Sequence, residues 1–163
     1  MRRLAGILLI AIPCALLAEE PAVRVEPANL QNSRPLQKQT ETSVIRDYLE
    51  SWRTLNAALE QNRPELLEKC FVGDALDKLT ATVRQQNELG IRTRYQDRAH
   101  DLRVVFYSPE GMSIQLIDDA AYDDQVIAHG KLLGTQLVHR RYVVVMSPGE
   151  VRWRVRVLQA EPQ

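Results

Sequence analysis

The side chains best suited to moving a proton fall close together in one part of this chain. Asp97, His100 and Asp101 lie within five residues, and Tyr122, His129, His139 and Tyr142 follow on later segments of strand character. A carboxylate held out of water can abstract a proton beside a carbonyl, and a tyrosine hydroxyl can donate to the oxyanion that forms. Asp97 or Asp101 would serve as the base and Tyr122 or Tyr142 as the donor. Arg92, Arg94, Arg98 and Arg103 surround the two acids, however, so solvated ion pairs are the simpler expectation for them.

Other constellations are weaker. Asp118, Asp119, Asp123 and Asp124 suggest calcium, but the spacing lacks the glycine and the terminal glutamate of an EF-hand loop. A two-residue period sets Asp118 and Asp124 on one face with Ala120 and Tyr122, and Asp119 and Asp123 on the other. A solvated strand edge that resists aggregation explains them better. The three histidines are far apart, and no serine stands in a Gly-x-Ser-x-Gly setting. A phosphate-cradling loop and a dinucleotide fingerprint are both missing. No metal or cofactor is expected.

A different chemistry is written in the last strand. Arg152, Arg154 and Arg156 alternate with Val151, Trp153, Val155 and Val157. With Trp153 and the valines turned inward, the arginines line the opposite face. A tight turn at Ser147-Pro148-Gly149-Glu150 would put Val145 and Val143 opposite Arg152 and Arg154, and Arg141 opposite Arg156. A face mixing Val143 and Val145 with Arg152, Arg154 and Arg156 suits a protein interface, where arginine is enriched. The alternative is a solvated face whose arginines pair with carboxylates on the neighbouring strand.

The elements that must position these groups are legible from hydrophobic period. Ile45, Tyr48, Leu49, Trp52, Leu55 and Leu59 recur at helical steps, with Thr42 or Ser43 as the cap and Arg46, Asp47, Glu50 and Arg53 toward solvent. Pro64 starts a short second helix carrying Leu66, Leu67, Cys70 and Phe71. Asp74 caps a third, with Ala75, Leu76, Leu79, Thr80 and Val83 inward and Gly90 closing it. The period then changes to two. His100, Leu102, Val104 and Phe106 share one face of a strand, Met112, Ile114 and Leu116 begin the next, and 136–146 and 151–157 supply two more. The expected fold is α+β: three N-terminal helices on a curved antiparallel sheet of about four strands. The predicted core includes Leu49, Trp52, Leu55, Phe71, Leu79 and Trp153.

Residues 1–18 say where the chain works. Arg2 and Arg3 precede an uncharged apolar run at 4–17, and Ala18 meets Glu19 and Glu20. That is the layout of a secretory signal, too short to span a bilayer comfortably. Cleavage after Ala18 leaves 145 residues, one domain's worth, with 19 basic and 21 acidic side chains. The resulting net charge of −2 gives no reason to expect nucleic acid as a partner. Pro13 before Cys14 argues against lipid attachment. Cys70 is then the single thiol, and its neighbours Leu66, Leu67 and Phe71 suggest burial. Residues 19–41, with Pro21, Pro27 and Pro35, read as a disordered linker, 42–160 as the folded domain and 161–163 as a tail.

A long first helix bearing Tyr48 and Trp52, two shorter helices, and long strands ending in Arg152-Trp153-Arg154-Val155 resemble the NTF2-like (SnoaL-like) superfamily. Tyr95-Gln96-Asp97, Leu102-Arg103-Val104-Val105 and Arg141-Tyr142-Val143-Val144 are also similar to the related domain at the end of chloroplast division proteins. The resemblance implies a sheet wrapped around the helices as a cone. It embraces isomerases, dehydratases and non-enzymatic binding modules, so it does not decide activity. The expectation is an exported, periplasmic or secreted binding or assembly module. It would act through self-association, an envelope protein or a small apolar ligand, with membrane contact only if the signal stays uncut. The alternative is a cofactor-free isomerase or dehydratase.

Overall fold

The computed structural model describes residues 20–30 and 34–162. The signal segment at 1–18 lies outside them. Five strands form one sheet in sequential order: β1 (Ala22–Val25), β2 (Ile91–Tyr107), β3 (Ile114–Ala128), β4 (Lys131–Pro148) and β5 (Trp153–Ala160). β1 runs parallel to β2, and every other pairing is antiparallel. Between β1 and β2 come α1 (Lys38–Gln61), a 3₁₀ helix (Pro64–Lys69) and α2 (Gly73–Glu88), which cover one face of the sheet. The core lies between, with Tyr48, Trp52, Leu55, Phe71, Leu102, Leu116 and Val144 among its buried members. Cys70 is buried in it, as its neighbours suggested. Leu49, Leu79 and Trp153 are only partly buried and pack against its margin.

The expected α+β layering holds, but the linker expectation does not. Residues 22–25 form a fifth strand, because the edge of β2 supplies hydrogen bonds and charge that the short Ala-Val-Arg-Val run cannot supply alone. Arg24 grips Asp101 at 2.9 Å and Glu26 at 3.1 Å, and Glu26 also holds Arg103 at 3.0 Å. Beyond the strand, Glu26, Asn29 and Arg34 donate backbone N–H groups to Leu102, Val104 and Tyr107. α1 also begins earlier than the capping residues suggested. Thr42 is inside it and bonds back to the Lys38 carbonyl at 2.9 Å, a local bond that hydroxyls make within helices.

Asp47 departs from its expected solvent position. It is 5% exposed, and its carboxylate accepts the Trp153 backbone N–H at 2.9 Å, tying α1 to the start of β5. The last hairpin differs too. Pro148 still pairs with Trp153, so the loop is 149–152, closed by Gly149 N–H to Arg152 O at 2.8 Å. Val145 therefore faces Val157, Val143 faces Gln159, and Ser147 faces Arg154. The register shifts where Arg156 is inserted, which turns Val157 outward rather than inward.

Because the partly buried Trp153 N–H loses a charged acceptor, Asp47→Ala should cost about 1–3 kcal/mol. Urea unfolding should show a lower midpoint with an unchanged slope; an unchanged midpoint would remove Asp47 from the account of how β5 is held.

Candidate functional site

The polar groups converge inside the cone because three local devices aim them there. On α1, Tyr48 and Trp52 are one turn apart on the buried face. On β2, the pairing skips Arg98 between Asp97 and Ala99. That bulge changes the parity of the strand, so Asp97 and His100 face the same interior although they are three positions apart. On β3, Asp118 and Tyr122 lie on the inner face of the middle strand, not on an edge, and Tyr142 follows on β4.

At the centre, Asp118 Oδ2 accepts from Tyr48 Oη at 2.7 Å and pairs with His100 Nδ1 at 2.8 Å. Trp52 Nε1 donates to the Tyr48 oxygen at 2.6 Å. On the other side of the imidazole, Asp97 Oδ2 stands 3.9 Å from His100 Nε2. Asp118 and His100 are 0% and 1% exposed. The Trp52 ring touches those of Tyr95, His100, Tyr122 and Tyr142, at centroid distances of 5.2 to 6.2 Å. Tyr122 and Tyr142 hydroxyls bond each other at 2.8 Å.

Burial alone would push the His100 pKa down. Its hydrogen bonds and charge contacts with Asp118 and Asp97 outweigh that and raise it to about 9. At neutral pH His100 is therefore a cation between carboxylates, with its proton already in place. Burial, reinforced by Asp118, raises Tyr48 well above the usual phenol range. Burial likewise raises Tyr95, Tyr122 and Tyr142, in the last case together with the bond to Tyr122. These hydroxyls stay protonated.

The candidate residues divide. Asp97 lies against His100, with its Oδ1 buried and without a partner among the described residues, as are His100 Nε2 and Asp118 Oδ1. Asp97 and His100 line a cavity of about 70 Å³ together with Pro21, Val23, Leu49 and Trp52. Asp101 is excluded from that interior. It sits on the outer face in its ion pair with Arg24, because His100 and Asp101 are consecutive in an extended strand. Tyr122 and Tyr142 are inside but are bonded to each other. His129 sits at the β3–β4 turn with φ 50°, away from any cluster.

The acidic run is not a solvated edge. Asp118 is fully buried, Asp123 binds Arg98 at 2.7 Å and Asp119 binds Arg141 at 2.8 Å. Among the described residues no group of histidine, cysteine, aspartate or glutamate is arranged to hold a metal. On the outer face, Val143 and Val145 are partly buried and Arg154 lies beyond Ser147, while Arg152 belongs to the loop and Arg156 to the bulge. Sequence reasoning named His100 among the candidates but missed Asp118 and Tyr48 as its partners. The one available sign was the break in apolar alternation at Asp118 on an otherwise inward-facing series.

Comparison with solved structures places the fold. The intermembrane-space region of the chloroplast protein ARC6 superposes with TM-score 0.62 at 12% identity, over 80% of this chain and 100% of that one. A putative scytalone dehydratase from Novosphingobium aromaticivorans DSM 12444 superposes with TM-score 0.55 at 13% identity, over 77% of this chain and 89% of that one. No family model and no curated protein matches the sequence. The fold is NTF2-like. At this level of identity, likeness in shape carries no activity with it.

The pH dependence of stability tests the network. The unfolded His100 titrates near the ordinary value of about 6.5 and the folded one near 9, so its stabilisation is complete below about pH 6.5 and is lost as pH rises through about 9. The stability gap between wild type and His100→Gln should be on the order of 3 kcal/mol near pH 6 and shrink by about pH 9.5. A gap constant across that range would contradict a charged His100.

Proposed function

We propose that the chain is an exported, non-catalytic binding module that works through protein contact on the open side of its sheet. The filled interior carries this reading. Trp52 occupies the middle of the cone among four other rings, and the cavity beside His100 measures about 70 Å³. Pockets that take small-molecule ligands are typically about 300–1,000 Å³, so this one has room for a few waters and no substrate ring. The apolar-ligand form of the expectation loses support for the same reason.

The alternative, a cofactor-free isomerase or dehydratase, draws on Asp97 and His100 at the cavity wall. Its chemistry is poorly served there. His100 is protonated at neutral pH, the Tyr48 hydroxyl is committed to Asp118, and Tyr122 and Tyr142 to each other. A general base needs an unprotonated lone pair near working pH, which His100 lacks; the alternative therefore rests on the unpartnered Asp97 Oδ1 alone, in a cavity with no room for a substrate ring.

The open face of the sheet offers the better surface. Ile117, Val143, Val145 and Val157 point away from the helices and stay partly exposed, with Arg154 at their margin. Among the described residues, Arg152, Arg154 and Arg156 form no ion pair, unlike Arg24, Arg103 and Arg141. Next to this patch, a depression of about 550 Å³ opens between Ala99, Asp119, Ala121, His139 and Arg141. Export is supported by the signal-like first eighteen residues.

Native mass spectrometry of the protein recovered from the envelope or secreted fraction tests the reading. A chain starting at Glu19, bare of small molecules and associated with protein, is expected. Val145→Glu with Arg154→Glu should abolish that association while leaving the unfolding free energy within about 0.5 kcal/mol of wild type. A stoichiometric small molecule bound to the chain would overturn it.

A further inference from the structure

β4 is much longer than the strand that covers it. Its far side is paired by β5 only at 142–148, after which the Glu161 N–H meets the Arg141 carbonyl at 2.9 Å. Pro162 follows and has no N–H with which to continue the ladder. Among the described residues nothing pairs with 131–138 on that side, although β3 pairs with the same stretch on the other. This leaves an open edge roughly 27 Å long, at about 3.4 Å per residue.

The edge is also apolar. Leu132, Leu133 and Leu137 are 57%, 66% and 52% exposed. Between them, Gly134 has nothing within 4 Å of where a Cβ would stand, and a glycine inside a strand is where another backbone can approach closely. Unpaired edges of this kind invite a further strand, and proteins usually blunt them.

Charge selects the occupant. From 131 to 140 the strand carries Lys131, His139 and Arg140 and no acidic residue, while Arg141, just beyond the open stretch, is held by Asp119. Two copies joined along this edge would set basic ends against basic ends, or stack identical residues, and like charges directly opposite are destabilising. We propose that 131–138 is a docking edge for an extended, acidic segment of another protein, which adds to the sheet as a further strand beside β4. Backbone hydrogen bonds to the edge supply affinity, Leu132, Leu133 and Leu137 meet apolar side chains, and carboxylates at the segment's ends meet Lys131 and Arg140. The inference rests on the binding-module reading and names the class of partner.

The probe is a synthetic peptide of alternating valine and threonine with two glutamates at each end, added to the whole exported chain and followed by amide NMR shifts. Binding should perturb amides at 131–141 and slow their hydrogen exchange. A peptide with lysines in place of the glutamates should bind at least about tenfold more weakly, as should a peptide N-methylated on alternate residues. Leu137→Asp should weaken binding to a similar degree, and Leu133→Asp serves as a second variant should the first disturb the hairpin.

Absence of binding by the acidic peptide, equal binding by the lysine or N-methylated peptide, or a peptide-free dimer protecting the same amides would each overturn the inference. A failed peptide with a bare, protein-associated chain in native mass spectrometry fells the edge alone. A bound small molecule fells the binding-module reading itself.

Discussion

One buried carboxyl group governs this molecule. Asp118 stands in the middle strand of the sheet without exposure to water, where an unpaired charge would cost several kcal/mol. Its Oδ2 is satisfied from two directions, by the Tyr48 hydroxyl on α1 and by His100 on β2. Those bonds fix the helix against the sheet at one point, and Trp52 locks that point by donating to the same tyrosine oxygen. The bulge at Arg98 follows from the same demand, since without it Asp97 and His100 would point to opposite faces. Arg98 itself is turned outward to Asp123, so one irregular residue serves both sides of the sheet.

The consequence for function is that the cone is spent on itself. The chain fills the space between helix and sheet with Trp52 and four surrounding rings, and the hydroxyls of Tyr48, Tyr122 and Tyr142 all have internal partners. A polar network so enclosed specifies how helix and sheet meet rather than presenting reactive atoms. The proposed recognition surface accordingly lies outside, where the helices leave the sheet uncovered and β4 outruns its neighbour.

Much of the layering was legible in the sequence because period is a local property. The helical steps from Ile45 to Leu59 and the alternation of His100, Leu102 and Val104 each report a face without knowledge of its partner. What escaped notice depends on pairs distant in the chain. Ala22–Val25 is a strand only because Asp101 and Leu102 wait at the edge of β2, and Asp47 is buried only because the Trp153 N–H arrives from β5. Bulges defeat parity counting most directly. The skip at Val105 buries Tyr107 in place of Phe106, and the one at Arg156 turns Val157 outward and moves the arginine stripe off a single face. For the site, Asp97, His100, Tyr122 and Tyr142 were nameable as types, but the partnership of Tyr48 with Asp118 spans the whole length from first helix to middle strand.

Hydrogen exchange at the Trp52 indole N–H tests the closed interior most directly. That proton lies in the bond to Tyr48, and in a filled, locked cone it reaches solvent only when the whole domain unfolds. The account requires its opening free energy to equal that of global unfolding and to fall with urea at the same slope. Exchange at a lower free energy, insensitive to urea, would show a cone that opens locally to admit a ligand and would contradict the account.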